Sequence, residues 1–419
     1  MLRVVREVFS TRNIVVLSGT STLYQVFNSL WQLWWSLYLL EVLNAPIAII
    51  GLLSTIQSSS QILFQLPGGM LADRIGRKKV IVLGTTLRIF GPLILVLAPT
   101  WQWVIPGVVL NAVASLYMPA FNAIIADSLP HEKRGTAFGA YRTVTSMPNI
   151  VMPIVSGLYI DAIGIARGVR LGLYMYIVAA VVAMAARALF LRETLMRGDG
   201  DEPQRLSREA LGSDVRGLLE RFRGMMLAML VVACISGFAM RMVYPFLVIY
   251  GVEVIGLTTT QWGLLQTTAM GLSTALYLLG GVVSDRFGRV PCITVARSIL
   301  PLESLGLVFF HGFGSLLPLF ALLGIGGGLG GGSIRGGGYM GGPAWQALIA
   351  DIVPQGDRGK VMGLMGTMTG FINLPAPILG AYVWEALGPN TLLLSGGVLG
   401  FAAVPLILLF VREPETRQK

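Results

Sequence analysis

Six arginines and one glutamate interrupt long apolar runs: Arg88, Arg142, Arg187, Arg241, Arg297, Arg335 and Glu303. Each charge in such surroundings must face water, a partner or a bound solute, so each is a functional candidate. A guanidinium presents a planar fork of donors that suits a carboxylate or phosphate. Arg142, Arg187 and Arg297 lie near enough to the ends of their runs to snorkel toward water. Arg88 lies deeper, and Arg241 and Arg335 lie near the middle of theirs. Glu303 is the acid at similar depth. A carboxyl held among apolar groups can take up and release a proton as its surroundings change, which makes Glu303 the proton-coupling candidate. A plain Glu303–arginine pair is the alternative. His131 and His311 do not cluster, and Cys234 and Cys292 lie in apolar stretches, so neither a metal set nor a disulfide frame is expected. Residues 324–342 hold twelve glycines among 19, but no Gly-Lys-Ser/Thr follows, so they are not a phosphate loop. No catalytic constellation, cofactor or enzyme is expected.

Polar residues also recur at helical spacing. One stripe runs Ser18, Thr22, Gln25, Ser29, Gln32 and Ser36; another runs Ser54, Ser58, Gln61 and Gln65. In lipid such stripes face protein or water. A water-filled substrate cavity lined by Gln25, Ser29, Gln32, Ser58 and Gln61 is the expectation, with helix–helix contact as the alternative. Asn149, Asn373, Arg241 and Arg335 join the cavity candidates. Tyr24, Phe27, Trp31, Trp34 and Tyr38 recur on the same helical period and read as packing.

The elements that must hold these residues follow from composition. Of 419 residues 54% are hydrophobic and 12% charged, about half the charged share of ~25% in soluble domains. A membrane-spanning helix needs ~20 apolar residues. Apolar runs between charged or Gly/Pro breaks give twelve spans, at 13–43, 46–71, 80–100, 102–128, 135–163, 171–191, 225–253, 261–283, 291–313, 315–352, 360–387 and 391–411. An even number of spans puts both termini on one side. Of 31 Lys and Arg, 23 fall in the termini and the loops on that side, six lie within spans, and Arg167 and Arg170 lie in the opposite loops. The positive-inside rule therefore puts both termini in the cytoplasm of a cell-membrane protein. It also accounts for the net charge of +10 without a nucleic-acid partner. The polar stretch 193–224 reads as a cytoplasmic linker between an N-terminal bundle, 1–192, and a C-terminal one, 225–419.

The two halves repeat. At an offset of 212, Tyr38, Glu41, Gly69, Asp73, Arg74, Gly76 and Arg77 fall on Tyr250, Glu253, Gly281, Asp285, Arg286, Gly288 and Arg289. At an offset of 224, residues 119–130 fall on 343–354, pairing Asp127 with Asp351; Arg134 falls on Arg358, Asn149 on Asn373 and Pro153 on Pro377. The ends of spans six and twelve agree as well, Phe190-Leu-Arg-Glu193 with Phe410-Val-Arg-Glu413. The extra length lies in the glycine-rich part of span ten, which is expected to be a close-packed contact, a break, or both. The fold expected is an all-α membrane protein of two pseudo-symmetric six-helix bundles.

The loop Gly69-Met-Leu-Ala-Asp73-Arg74-Ile-Gly76-Arg77-Lys78-Lys79 joins spans two and three, and a shorter copy at 281–289 joins spans eight and nine. Gly69 would allow close helix contact, Gly76 a tight turn, and Asp73 has Arg77 one turn away. This loop resembles the signature loop of the major facilitator superfamily of transporters, and the resemblance covers the whole chain. It implies a conformational latch in which Gly69, Asp73, Arg74, Gly76, Arg77, Asp127 and Arg134 act together. Gly281, Asp285, Arg286, Gly288, Arg289, Asp351 and Arg358 would repeat it. By the same resemblance spans seven and ten, with Arg241 and Arg335, line the cavity. Two features depart from the drug–proton antiporters of that family. Asn111 stands where they carry an arginine in span four, and the span-five glycine pattern is only partly met at 152–157.

The resemblance implies a secondary transporter that moves a small solute by alternating access as a monomer in the bilayer, with the proton as candidate second partner. Drug or metabolite export is the first expectation. Uptake or exchange of an anionic solute, motivated by Arg241 and Arg335, is the second. A non-transporting receptor or scaffold of the same fold is the third.

Overall fold

The computed structural model describes residues 11–128, 141, 144–195, 224–331, 342–353 and 358–413. Arg134, Arg142, Arg335 and most of the linker expected at 193–224 lie outside them, as do the surroundings of Gln61 and Gly281. The described residues are helical and hold no strand, and helix occurs in every one of the twelve expected spans. Among the described residues nine helices are long and apolar enough to cross a membrane, from Arg77–Leu97 to Pro389–Phe410. The other three long helical stretches are Arg12–Trp31 with its continuation to Glu41, Ile47–Ile75 and Thr259–Phe287. The first two of these carry the serine- and glutamine-rich stripes, and the third is opened by a Thr258–Gln261 capping box. Two compact units, Met1–Arg205 and Leu206–Lys419, divide the chain.

The repeat extends to local irregularities. Span one turns into a 3-10 segment at Gln32–Trp34, and span seven does so at the equivalent Tyr244–Phe246. At the far ends of these spans Arg170 Nε donates to the Tyr38 hydroxyl at 3.2 Å, and the Tyr250 hydroxyl donates to Asn390 Oδ1 at 2.6 Å. Each tyrosine thereby ties its span to the start of the last span of its own unit.

In the N-terminal unit spans one and five are joined by three side-chain rungs: Ser21 with the Tyr141 hydroxyl at 3.1 Å, Ser29 Oγ donating to Asn149 Oδ1 at 3.2 Å, and Trp34 Nε1 donating to Ser156 Oγ at 3.0 Å. The aromatic run of span one packs on span six. Tyr24 and Trp31 meet Tyr176 edge-on at 5.3 and 6.0 Å, and Trp35 stacks on Tyr38 at 5.8 Å.

Three expectations are corrected by the packing. Arg187 and Arg297 do not snorkel; they are 1% and 4% exposed. Arg187 Nε and Nη1 donate to Thr20 Oγ1 and Thr85 Oγ1 at 3.1 and 2.8 Å, and Arg297 lies 5.2 Å from the Trp345 ring centroid. Their helices turn these positions inward, toward threonine acceptors and ring faces that an outward arginine would not meet. Gly69 is not the close contact either, because a Cβ there would sit 3.9 Å from Pro119 Cβ, an ordinary separation. The contact belongs to Gly68, where a Cβ would strike the Leu116 carbonyl oxygen, and to its repeat mate Gly280, where one would strike that of Gly328.

Both readings of the glycine-rich stretch hold, each over its own part. Span ten runs as Phe313–Gly326 and a π-helical turn Gly327–Gly331. A Cβ on Gly324 would lie 2.6 Å from the Ala269 carbonyl oxygen, and one on Gly328 would lie 2.6 Å from Leu276 Cβ. The glycines to 328 therefore let span ten press on span eight. At Gly330 the backbone leaves helical geometry (φ 175°, ψ −5°), and the next described helix of the span is Pro343–Ile352.

Adding one methyl at adjacent glycines tests this packing. Gly68→Ala should destabilise the protein by about 1–3 kcal/mol or more, because the obstacle is backbone that cannot rotate away. Gly69→Ala should stay within about 0.5 kcal/mol. Thermal unfolding of the purified variants reads the difference, and equal melting temperatures would refute the contact.

Candidate functional site

The signature loop is short because the Ile47–Ile75 helix ends on Gly76 and the Arg77–Leu97 helix begins at the next residue. Gly76 has φ +99°, a conformation that L side chains rarely adopt, and its mate Gly288 has φ +97°. The turn puts Arg77 in the first turn of span three, where its guanidinium forms an ion pair with Asp127, the last residue of Met118–Asp127 in span four. The same guanidinium donates to Thr194 Oγ1 at 3.3 Å. In the C-terminal unit Arg289 pairs with Asp351 and also donates to the Ala347 carbonyl at 2.8 Å. Two pairs of the expected latch are thus built at equivalent places. Their side chains keep 18% and 34% exposure in the first pair and 21% and 31% in the second. Water screens pairs of this kind, so each is worth only ~0–1 kcal/mol.

The other latch candidates are distributed differently. Asp73, Arg74, Asp285 and Arg286 are exposed at the ends of their helices. Arg286 lies over the neighbouring Phe287 ring at 5.7 Å. Arg358 is used on backbone: its Nε donates to the Val353 carbonyl at 3.1 Å and its Nη2 to that of Ala350. It closes the end of the Pro343–Ile352 helix, whose last carbonyls have no partner within the helix.

Sequence reasoning missed two carboxylates that belong to this site. Glu193 Oε2 accepts from the Lys78 backbone N–H at 2.9 Å, and Oε1 accepts from those of Thr194 and Leu195 at 3.0 and 3.1 Å. Glu413 accepts from the backbone N–H groups of Arg289 and Val290 at 2.9 and 3.0 Å. Each carboxylate caps the positive end of a helix that opens with arginine, where basic side chains are otherwise unfavourable. A Cβ at Gly76 would lie 2.8 Å from Glu193 Oε2, so the turn is glycine for its approach as well as its φ. Burial pushes the Glu193 carboxyl up, but the backbone donors of Leu195, Lys78, Thr194 and Arg77 outweigh it and hold the group below the usual carboxylate range. The matched Arg-Glu at both span ends was the available signal; it looked like a span boundary and nothing more.

Of the cavity candidates, Ser29 and Asn149 are brought together, but on each other. Ser18 returns its hydroxyl to the Ile14 carbonyl of its own helix at 2.5 Å. Gln25 and Ser58 are partly exposed and Gln32 is exposed. Asn373 is 1% exposed, and its Oδ1 has no hydrogen-bond partner among the described residues. Arg241 lies in the last turn of Met225–Val243, just before the 3-10 segment. Glu303 is 3% exposed in the first turn of Leu302–Phe309, behind the Pro301 break in span nine. Asn111 sits against span three, where a Cβ on Gly91 would lie 2.5 Å from its Oδ1. No group of three or more metal-ligating side chains occurs among the described residues.

A family model described as Major Facilitator Superfamily matches residues 16–336 and 332–419. The first curated relatives match over less than half of their own length. One is a multi-drug resistance efflux pump, PmrA, of Streptococcus pneumoniae, 27% identical over 183 residues, which are 43% of each chain. A class H tetracycline resistance protein of Pasteurella multocida is 22% identical over 394 residues, 88% of each chain. The solved nucleoside transporter NupG superposes with a TM-score of 0.72 at 15% identity, covering 94% of this chain and 98% of that one, which shows the shared fold.

The carboxylate cap makes a pH-dependent prediction. A group whose folded pKa is depressed stabilises the fold above its unfolded value and loses that contribution as pH falls through the folded value. Glu193→Gln should therefore be less stable than wild type at pH 7. The difference should shrink as pH falls below the ordinary glutamate value of about 4.3. Melting temperatures of the two proteins across this range check it; a gap independent of pH would deny the carboxylate its role.

Proposed function

The chain belongs to the major facilitator superfamily of transporters, and we propose that it is a secondary active exporter that moves a small drug-like or metabolite molecule out of the cell by alternating access. The observation that carries this reading is the duplicated ion pair, Arg77–Asp127 and Arg289–Asp351, at repeat-equivalent loops. A receptor or scaffold has no need of two matched, solvent-weakened pairs. A protein that makes and breaks them in each cycle does, because a contact worth ~0–1 kcal/mol can be released without a large barrier. Asp73, Asp285 and the caps Glu193 and Glu413 complete the latch in this reading. Export is favoured over uptake by the names of the relatives, an efflux pump and an antibiotic resistance protein.

The finer assignments rest on the same reading. The concentration of Lys and Arg in alternate loops supports a plasma-membrane protein with both termini in the cytoplasm. The two compact units support the division into two bundles and a linker. Gln25, Gln32, Ser58 and Arg241, which are not fully buried, are the proposed solute-facing groups. Glu303, buried in span nine, is the proposed proton carrier.

Reconstituted protein tests both parts. Wild type should extrude at least one member of a panel of fluorescent drug-like compounds under a pH gradient. Asp127→Asn should lower the initial rate at least tenfold with an unchanged gel-filtration profile; a wild-type rate would remove the latch. Flux of no compound by wild type would favour a receptor.

Coupling is read separately. Glu303→Gln should retain solute exchange at equal concentrations on both sides but lose uphill movement driven by the pH gradient. Gradient-driven flux that persists in Glu303→Gln would make Glu303 structural.

A further inference from the structure

Spans one, three, four and six of the N-terminal unit gather two guanidinium groups, the buried Arg187 and the partly exposed Arg88, on one aromatic shell. The Cζ of Arg187 lies 5.3, 5.8 and 5.2 Å from the ring centroids of Tyr24, Tyr117 and Phe121. The Cζ of Arg88 lies 6.0 and 5.2 Å from those of Tyr24 and Tyr117. The two cations therefore share the same two rings. Tyr176 interacts with Arg88 and packs on Tyr24.

Every polar partner in this shell is neutral. Arg187 donates to Thr20 and Thr85, whose own hydroxyls pass on to the Val16 and Ile81 carbonyls. Neither arginine forms an ion pair with a carboxylate among the described residues. Hydrogen bonds to threonine satisfy N–H groups of Arg187 but bring no counter-charge to two cations that share the same rings, which neutral dipoles and ring faces offset only in part. A second, independent deficit lies in the same place. The Tyr24 hydroxyl is buried, in a residue 5% exposed, without a hydrogen-bond partner. Two cations and an unpartnered hydroxyl thus border the same rings, with no carboxylate paired to them among the described residues.

The C-terminal unit shows that this is not a requirement of the repeat. The equivalents of Tyr24, Arg88, Tyr176 and Arg187 are Ser236, Leu300, Gly396 and Ile407. One buried guanidinium remains there, Arg297 at the place of Thr85, against Trp345 at the place of Phe121. The second arginine and the tyrosines are particular to the N-terminal unit.

We propose that the interior of the N-terminal bundle is a binding site for one small monovalent anion, held by Arg88 and Arg187 with the Tyr24 hydroxyl as third donor. One anion supplies both things the shell lacks, a counter-charge for the two cations and an acceptor for the Tyr24 hydroxyl. Tyr24, Tyr117 and Tyr176 are each 5% exposed, so an anion held among them must be small, and a bulky organic anion is excluded. The site stands apart from the transported solute and from the export reading, and it acts on the stability of the N-terminal unit.

The test is thermal unfolding of the full-length purified protein in sodium chloride against sodium gluconate at equal ionic strength. Chloride should raise the melting temperature along a saturating curve, as a ligand of the folded state does, and gluconate should not. Arg88→Gln should raise the half-saturating chloride concentration tenfold or more, ~1.4 kcal/mol. Tyr24→Phe carries the test if Arg88→Gln fails to fold. With an anion bound, loss of the hydroxyl should shrink the chloride-dependent rise. With no anion, deleting an unsatisfied hydroxyl should leave the melting temperature equal or higher in both salts alike. Identical melting of wild type in the two salts would overturn the proposal, as would an equal chloride response in wild type and the folded variants.

Discussion

In hydrocarbon a charge or a hydrogen-bonding group cannot turn to water for a partner, and the rest of this structure follows from that constraint. The chain carries few charges, and it settles them in two ways. At the ends of the spans, carboxylates meet arginines and helix N-termini: Asp127 with Arg77, Asp351 with Arg289, Glu193 and Glu413 on the first N–H groups of spans three and nine. Inside the spans, guanidiniums lie against ring faces and threonine hydroxyls. The first arrangement is partly solvated and weak enough to open. The second is enclosed and resists change, because removing any member leaves another buried polar group without a partner.

The duplication of the chain separates what the architecture needs from what one half has added. The positive-φ glycine, the arginine that follows it, the acid at the end of the span and the carboxylate cap occur in both units at matching positions. So do the 3-10 segments of spans one and seven and the tyrosine tie at their far ends. The buried guanidinium also occurs in both, but it arrives from span six in one unit and from span nine in the other. What is shared is a place for a cation beside an aromatic residue of span four or ten. The polypeptide route to that place was free to differ, since a long flexible side chain can reach it from either neighbouring helix. This is a property of the packed bundle that no alignment of the two halves displays.

Close helix approach supports the signature loops. Where Gly68 lies on Leu116 and Gly280 on Gly328, the backbones come nearer than any side chain would allow. These contacts fix spans two and eight against spans four and ten about two turns before the turn glycines Gly76 and Gly288. The loop arginines therefore start from a rigid base and reach the terminal aspartates of those same partner helices.

The sequence by itself determined the helical membrane class, the repeat and the loop shared by its two halves. These are written in quantities that survive without coordinates: composition, a period of helical spacing, and glycines and charges at a fixed offset. Arg77, Asp127, Arg289 and Asp351 were singled out by the resemblance of the loop to the family's signature, carried to matching residues of both halves. Only the tertiary structure decided which face of each helix turns inward. A rotation of one residue, about 100° in a helix, separates Gly68 from Gly69 and an enclosed Arg187 from a snorkelling one. Nothing in a single apolar run specifies that rotation when lipid and protein interior are equally apolar. The carboxylate caps escaped notice for a related reason. Glu193 lies 115 residues from the Lys78 amide that it caps, and a contact of that range is made by the packing of helices and has no local pattern to reveal it.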